Sequence, residues 1–178
     1  MAAEVETELD HLHRGGERNK AREQFVTFQI DSEEYGVMIS RTREIIKPRR
    51  ITNVPNTDDH VLGVINLRGQ IVPVVDLKKK LDLDLEGRAD DEEERIITVE
   101  VNEALIGIQV DGVNEVVWLE EDGIEPPPEV AGGIKQEYLR GVGRKAGGLL
   151  VLIDLESLLF QDGEQEQDED INASEGYK

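Results

Sequence analysis

The chain carries one pattern twice, and this repeat restricts its possible folds more than any other feature. Phe25-Val26-Thr27-Phe28-Gln29-Ile30, a turn over Asp31 to Glu34, and Tyr35-Gly36-Val37-Met38-Ile39 predict a β-hairpin. Moved along by 71 residues the pattern returns as Ile96 to Val101, Asn102 to Leu105 and Ile106 to Val110, with Thr27/Thr98, Gly36/Gly107 and Glu44/Glu115 identical. Beyond the Pro126-Pro127-Pro128 connector the offset becomes 78. It then aligns Gly63/Gly141, Val64/Val142, Gly69/Gly147, Asp76/Asp154, Leu77/Leu155 and Leu81/Leu159.

Each copy reads as two strands, a third extended stretch, a short helical turn (Thr57 to Val61 in the first) and two more strands around a Gly turn. Five short strands predict a small barrel. A copy of about 65 residues closes only a marginal core alone, so the two should share apolar surface. The expectation is an all-β fold of two pseudo-symmetric five-stranded barrels around a shared hydrophobic core, with short helices. Barrel 1 is placed at about 25–87 and barrel 2 at about 88–161. Residues 1–24, with six acids and four bases, read as a flexible acidic lead-in. Residues 162–178, acidic and nearly without apolar side chains, read as a disordered tail. Whether the first strand crosses to the other barrel is open at this level.

Forty acids against twenty bases leave a net charge of -20, which opposes nucleic acid and anionic lipid as partners. The charge is uneven: Phe25 to Leu81 is net +2, whereas Asp82 to Glu137 is net -15. There is no cysteine, which removes disulfides and thiolate chemistry. Apolar runs such as Ala146 to Ile153 are too short to span a bilayer, so a cytoplasmic protein without membrane insertion is expected. His11 and His13 lie in the lead-in, His60 stands alone, and no phosphate-cradling Gly-Lys-Ser/Thr motif occurs. No metal or cofactor is expected. The repeated Asp76 and Asp154 invite comparison with an aspartate-dependent hydrolase. Each, however, stands between an apolar strand and a short apolar-periodic segment, where a carboxylate caps a helix, and Leu follows both in place of the glycine loop a catalytic dyad needs. They are read as structural caps, and the chain as no enzyme.

A duplicated scaffold keeps in both copies what folding requires, so differences between copies point to partners. Ile65-Asn66-Leu67-Arg68-Gly69 is matched by Gly143-Arg144-Lys145-Ala146-Gly147. The turn explains the shared glycine but not Asn66-Leu67-Arg68, and Arg68 supplies a planar fork suited to a carboxylate. Lys47, Arg49 and Arg50 are matched by Trp118, Glu120 and Glu121, so a basic strip faces an acidic one across the repeat.

The stretch Gly63-Val64-Ile65-Asn66-Leu67-Arg68-Gly69-Gln70-Ile71-Val72-Pro73-Val74-Val75-Asp76-Leu77, preceded by Arg43-Glu44-Ile45-Ile46, resembles the CheW-like domain family of chemotaxis coupling proteins. The similarity covers Phe25 to Phe160. It implies two SH3-like barrels and a non-catalytic adaptor that couples chemoreceptor tips to the regulatory domain of the histidine kinase CheA in membrane-associated arrays. Carried over by motif, Glu44, Ile45, Val64, Asn66, Leu67, Arg68 and Gly69 are the expected partner-binding residues, with Glu44 able to pair with Arg68. In the second copy Glu115 keeps the acid while Ala146 replaces the arginine. Fusion to a receiver, as in CheV-type relatives, is not expected with 18 residues after Phe160.

Overall fold

The computed structural model describes residues 21–83, 92–129 and 134–160. The lead-in 1–20, the acidic run at Asp90 and Asp91, and the tail 162–178 lie outside the described residues. Ten strands account for most of the rest: β1 (Arg22–Ile30), β2 (Glu33–Met38), β3 (Thr42–Ile46), β4 (Val61–Leu67), β5 (Gln70–Asp76), β6 (Arg95–Val101), β7 (Ala104–Val110), β8 (Gly112–Glu120), β9 (Leu139–Lys145) and β10 (Gly148–Ile153). Two short helices, α1 (Leu77–Lys80) and α2 (155–160), follow β5 and β10. The all-β expectation holds, with two differences of detail. β1 starts at Arg22, because Arg22, Glu23 and Gln24 pair with Glu120, Leu119 and Trp118. Thr57 to Val61 forms turns, not a helix, with Val61 N donating to Asp58 O at 3.0 Å.

The strands form two five-stranded sheets, β8-β1-β2-β10-β9 and β3-β6-β7-β5-β4. The division into barrels at 87/88 is therefore corrected: the repeats exchange hairpins. β1–β2, from the first copy, sits in a sheet otherwise built from the second, and β6–β7 makes the reciprocal crossing. Each crossing is made in parallel, Leu152 opposite Gly36 and Val74 opposite Gly107. Burial explains the exchange. Along β1, Phe25 packs with Leu119, Leu150 and Leu152 inside one barrel, while its neighbour Val26 enters the shared cluster with Ile97, Val99 and Ile108. Along β6, Ile96 packs with Ile65, Val72 and Val74 while Ile97 enters the shared cluster. A strand buried on both faces reads as a nearly continuous apolar run, and Phe25 to Phe28 and Ile96 to Val99 are such runs, each interrupted only by a buried threonine. The core has three compartments, one inside each barrel and a larger one between them.

Each sheet curls until its ends meet. The chain beyond β3 bridges back to β4, Thr52 and Val64 exchanging two backbone hydrogen bonds of 2.9 Å. Beyond β8, Glu125 and Val142 do the same at 2.9 Å. The aligned glycines belong to this closure. A Cβ on Gly63 would lie 2.2 Å from Thr52 O, and one on Gly141 2.5 Å from Glu125 O. Arg140, at the start of β9, ion-pairs with Glu23 of β1 and lies over the Phe25 ring at 5.5 Å from its centroid. Those strands are separated by two others in the sheet, so the contact depends on the curl.

The Arg140 hydrogen bond, working against the desolvation of a mostly buried carboxylate, holds Glu23 below its ordinary value of 4.5. A depressed carboxylate contributes stability above its unfolded value, and that contribution is lost as pH falls through the folded one. Urea unfolding of Glu23→Gln is accordingly expected to show a flatter loss of stability below about pH 4.5 than the parent, with the two curves parallel above that range. Identical acid limbs would show that the pair does not couple to folding.

Candidate functional site

The turn between β4 and β5 holds two residues, Arg68 and Gly69, flanked by the Leu67/Gln70 pair. Both have positive φ, 53° and 85°, the pattern of a type I′ hairpin turn. The first position favours Asn, Asp or Gly, so an arginine there is held against its own preference by about 1–2 kcal/mol. Two side chains hold it. Asn66 Oδ1 accepts from Gly69 N at 2.8 Å, spanning the turn. Glu44, reaching across from β3, ion-pairs with Arg68. The Arg68 side chain is still 75% exposed while that of Glu44 is 29% exposed, so the acid is the seat and the guanidinium the presented group. Exposed pairs contribute only about 0–1 kcal/mol to folding. Glu44 Oε2 is shielded from solvent without a hydrogen-bond donor among the described residues. Glu44 and Arg68 line an open depression of about 490 Å³ at the mouth of the barrel, with Leu67, Leu105, Glu100 and Arg43 around it.

Glu44 is aimed by a β-bulge. Thr42 lies opposite Val99 and Glu44 opposite Thr98, so two residues of β3 match one of β6 and Arg43 is the extra residue. Arg43 Nε turns to Glu100 at 2.7 Å. Thr98, fully buried, accepts from Glu44 N at 2.9 Å and donates to Glu44 O at 3.3 Å. The second barrel repeats the device. Thr27 donates to Glu115 O at 3.0 Å and accepts from Glu115 N at 3.1 Å.

Of the sequence-derived partner residues, Asn66, Arg68 and Gly69 are exposed at the turn with Glu44 half-buried beside Arg68. Ile45, also exposed, lies opposite Ile97 and so on the other face of β3 from Glu44. Two are placed otherwise. Leu67 is only 6% exposed and packs into the barrel core, because it falls on the inward phase of β4. Val64 is half-buried, with its backbone committed to the closing bridge at Thr52. Asp76 Oδ1 accepts from Lys78 N at 3.0 Å and Asp154 Oδ1 from Ser157 N at 3.2 Å, each at the first turn of its own helix. Among the described residues no group of His, Asp and Glu is placed to hold a metal ion, and no helix is long and apolar enough to cross a membrane.

Matching the two repeats residue by residue missed the second barrel's cation. Arg68 aligns with Ala146, but Lys145, one position earlier, ion-pairs with Glu115 at 3.0 Å and with Glu34. Its side chain is 18% exposed, and hydrogen bonds to Glu34 and then Glu115 raise its pKa above the ordinary lysine value. The turn differs too: of Ala146 and Gly147 only the glycine has positive φ, 99°. One barrel thus presents Arg68 beside a single acid, and its counterpart holds Lys145 between two acids while Arg144, one position earlier, is exposed and pairs with Glu125. The same matching missed Ile71 and Leu149, 63% and 64% exposed at equivalent places in runs that read as buried strands. Trp118, at 56%, is exposed where the first copy has Lys47.

The CheW-like domain matches residues 24–162 of the chain. "Chemotaxis protein CheW" of Klebsiella aerogenes is 39% identical over 137 residues, which are 77% of this chain and 81% of that protein. The protein of the same name from Bacillus subtilis is 31% identical, covering 82% and 92%. The crystal structure of "scaffolding protein TtCheW" from Thermoanaerobacter tengcongensis superposes with a TM-score of 0.72 at 35% identity, covering 79% of this chain and 94% of that one.

The strained turn yields a stability test. Arg68→Asn relieves the positive φ and loses only an exposed ion pair, so urea unfolding is expected to show unchanged stability or a gain of up to about 1 kcal/mol. A loss larger than about 1 kcal/mol would mean that the pair with Glu44 holds the fold, not the presentation of the guanidinium.

Proposed function

The chain belongs to the CheW-like domain family, and on that premise we propose that it is a non-catalytic chemotaxis adaptor, coupling the cytoplasmic tips of chemoreceptors to the regulatory domain of a CheA-type histidine kinase. The observation that carries the reading is Arg68. A residue kept in an unfavourable backbone conformation, braced by Asn66 and Glu44 yet three-quarters exposed, is explained by what it presents and not by what it stabilises. The guanidinium has five donors in a fork and Glu44 engages one edge of it, which leaves donors for a partner carboxylate or backbone carbonyl. Relatives named as chemotaxis proteins, and a similar solved structure named as a scaffolding protein, support an adaptor over an enzyme. The commitment of Asp76 and Asp154 to separate caps weighs against a hydrolytic dyad.

In this reading the working unit is the barrel pair over 25–161, an extent supported by the family match, with no cofactor. It acts in the cytoplasm, recruited to receptor arrays by protein contacts and not by insertion. The net charge of -20 weighs against nucleic acid as a further partner.

The test is co-sedimentation of the full chain with a receptor cytoplasmic fragment and a CheA-type kinase. The parent is expected to bring both into one complex, and Arg68→Glu to lose it while unfolding at the parent's urea midpoint. Parent protein that binds neither partner, at physiological and at high salt, would sink the proposal.

A further inference from the structure

Resting on that adaptor reading, we infer that Thr98 is a positioning residue for partner coupling: from the opposite repeat, its buried hydroxyl sets the bulge that aims Glu44 at Arg68. In an unbroken antiparallel register Thr42 opposite Val99 would place Arg43 opposite Thr98 and Glu44 opposite Ile97. Ile97 belongs to the shared core, so that register directs residue 44 to the other face of β3. The extra residue moves Glu44 opposite Thr98, onto the face that includes the barrel mouth. Beside the bulge, the Thr98 hydroxyl meets both the main-chain N–H and the C=O of Glu44, at 2.9 and 3.3 Å. A valine of nearly the same shape meets neither.

The repeat supplies an internal control. Thr27 makes the same two contacts with Glu115, at 3.0 and 3.1 Å, and is also fully buried. The cation there, Lys145, is additionally held by Glu34, and its side chain is 18% exposed. The two threonines are structurally equivalent, yet only Thr98 stands behind a presented arginine. A role confined to folding predicts equal consequences at both positions; a positioning role does not.

Thr98→Val, Thr98→Ser and Thr27→Val are compared in the full chain for binding to the kinase regulatory domain and to the receptor fragment. A partner-free readout, the water-exchange rate of the Arg68 guanidinium by NMR, is taken on each. Thr98→Val is expected to bind about tenfold more weakly and to speed that exchange, while Thr98→Ser and Thr27→Val stay within about twofold of the parent. In an Arg68→Ala background Thr98→Val should add no further loss, because both act on one contact. Equal losses from Thr27→Val and Thr98→Val, additive losses with Arg68→Ala, or an unchanged Arg68 exchange rate in Thr98→Val would each overturn the inference. If Arg68→Ala binds as the parent does, the adaptor site is wrong while the exchange rates still decide whether Thr98 aims Glu44. Should the valine variant not fold, Thr98→Cys, whose thiol is a weak donor and acceptor, carries the same comparison.

Discussion

The two hairpins that cross between repeats hold this molecule together. β1 and β6 each put alternate residues into different cores: Phe25 and Ile96 inside a barrel, Val26 and Ile97 into the compartment between barrels. A full burial of such a side chain contributes about 1.5–3 kcal/mol, and these strands collect it on both faces. Neither barrel is complete without a strand pair from the other repeat. The shared compartment is therefore continuous with the secondary structure of both halves, in contrast to an interface laid between two finished domains.

That crossing also explains how the two halves of the proposed contact surface are coupled to folding. Glu44 belongs to the first repeat and Thr98 to the second, yet they are neighbours because β6 pairs with β3. The reciprocal pairing of β1 with β8 joins Thr27 to Glu115. The matched residues Thr27/Thr98 and Glu44/Glu115 are thus one structural unit, a bulge and its plug, made twice with each half contributed by a different copy. What differs is the cation that each acid receives. Lys145 lies between two acids and is mostly shielded, whereas Arg68 is seated by one acid on a turn that suits it poorly.

Much of this was legible in the sequence because repetition multiplies weak signals. The strand count, the shared core and the pairing of Asp-Leu with a helix start follow from matched residues. The offset between copies also singled out Asn66 and Arg68 as unmatched. The assignment of strands to sheets was not legible: a run of apolar residues broken only by Thr27 shows that both faces of β1 are buried, but not which repeat buries each face. Leu67 and Val64 were grouped with Arg68 by motif, although strand alternation turns Leu67 inward. Lys145 was hidden by a one-residue difference in where the cation stands on the hairpin. Ile71 and Leu149 were hidden by a β-run whose first apolar residue lies beyond the edge of the core.

The asymmetry between the two bulge sites decides which barrel can exchange a contact. A lysine already bonded to Glu34 and Glu115 must give up charge-assisted hydrogen bonds, and desolvate two acids differently, before it can serve a partner. Arg68 gives up little, because its own side of the pair is exposed and most of its fork is in water. The strain at its backbone is a fixed cost of the free protein, present before any partner arrives, so the geometry a partner meets is already set. On these grounds the first barrel offers a preformed cationic contact beside an acid. The second uses the same bulge to hold Lys145 between Glu34 and Glu115, and exposes Arg144, paired with Glu125, together with apolar side chains such as Trp118 and Leu149. Two barrels with the same repeated pattern thereby present chemically different faces, which fits the proposed coupling of two unlike partners.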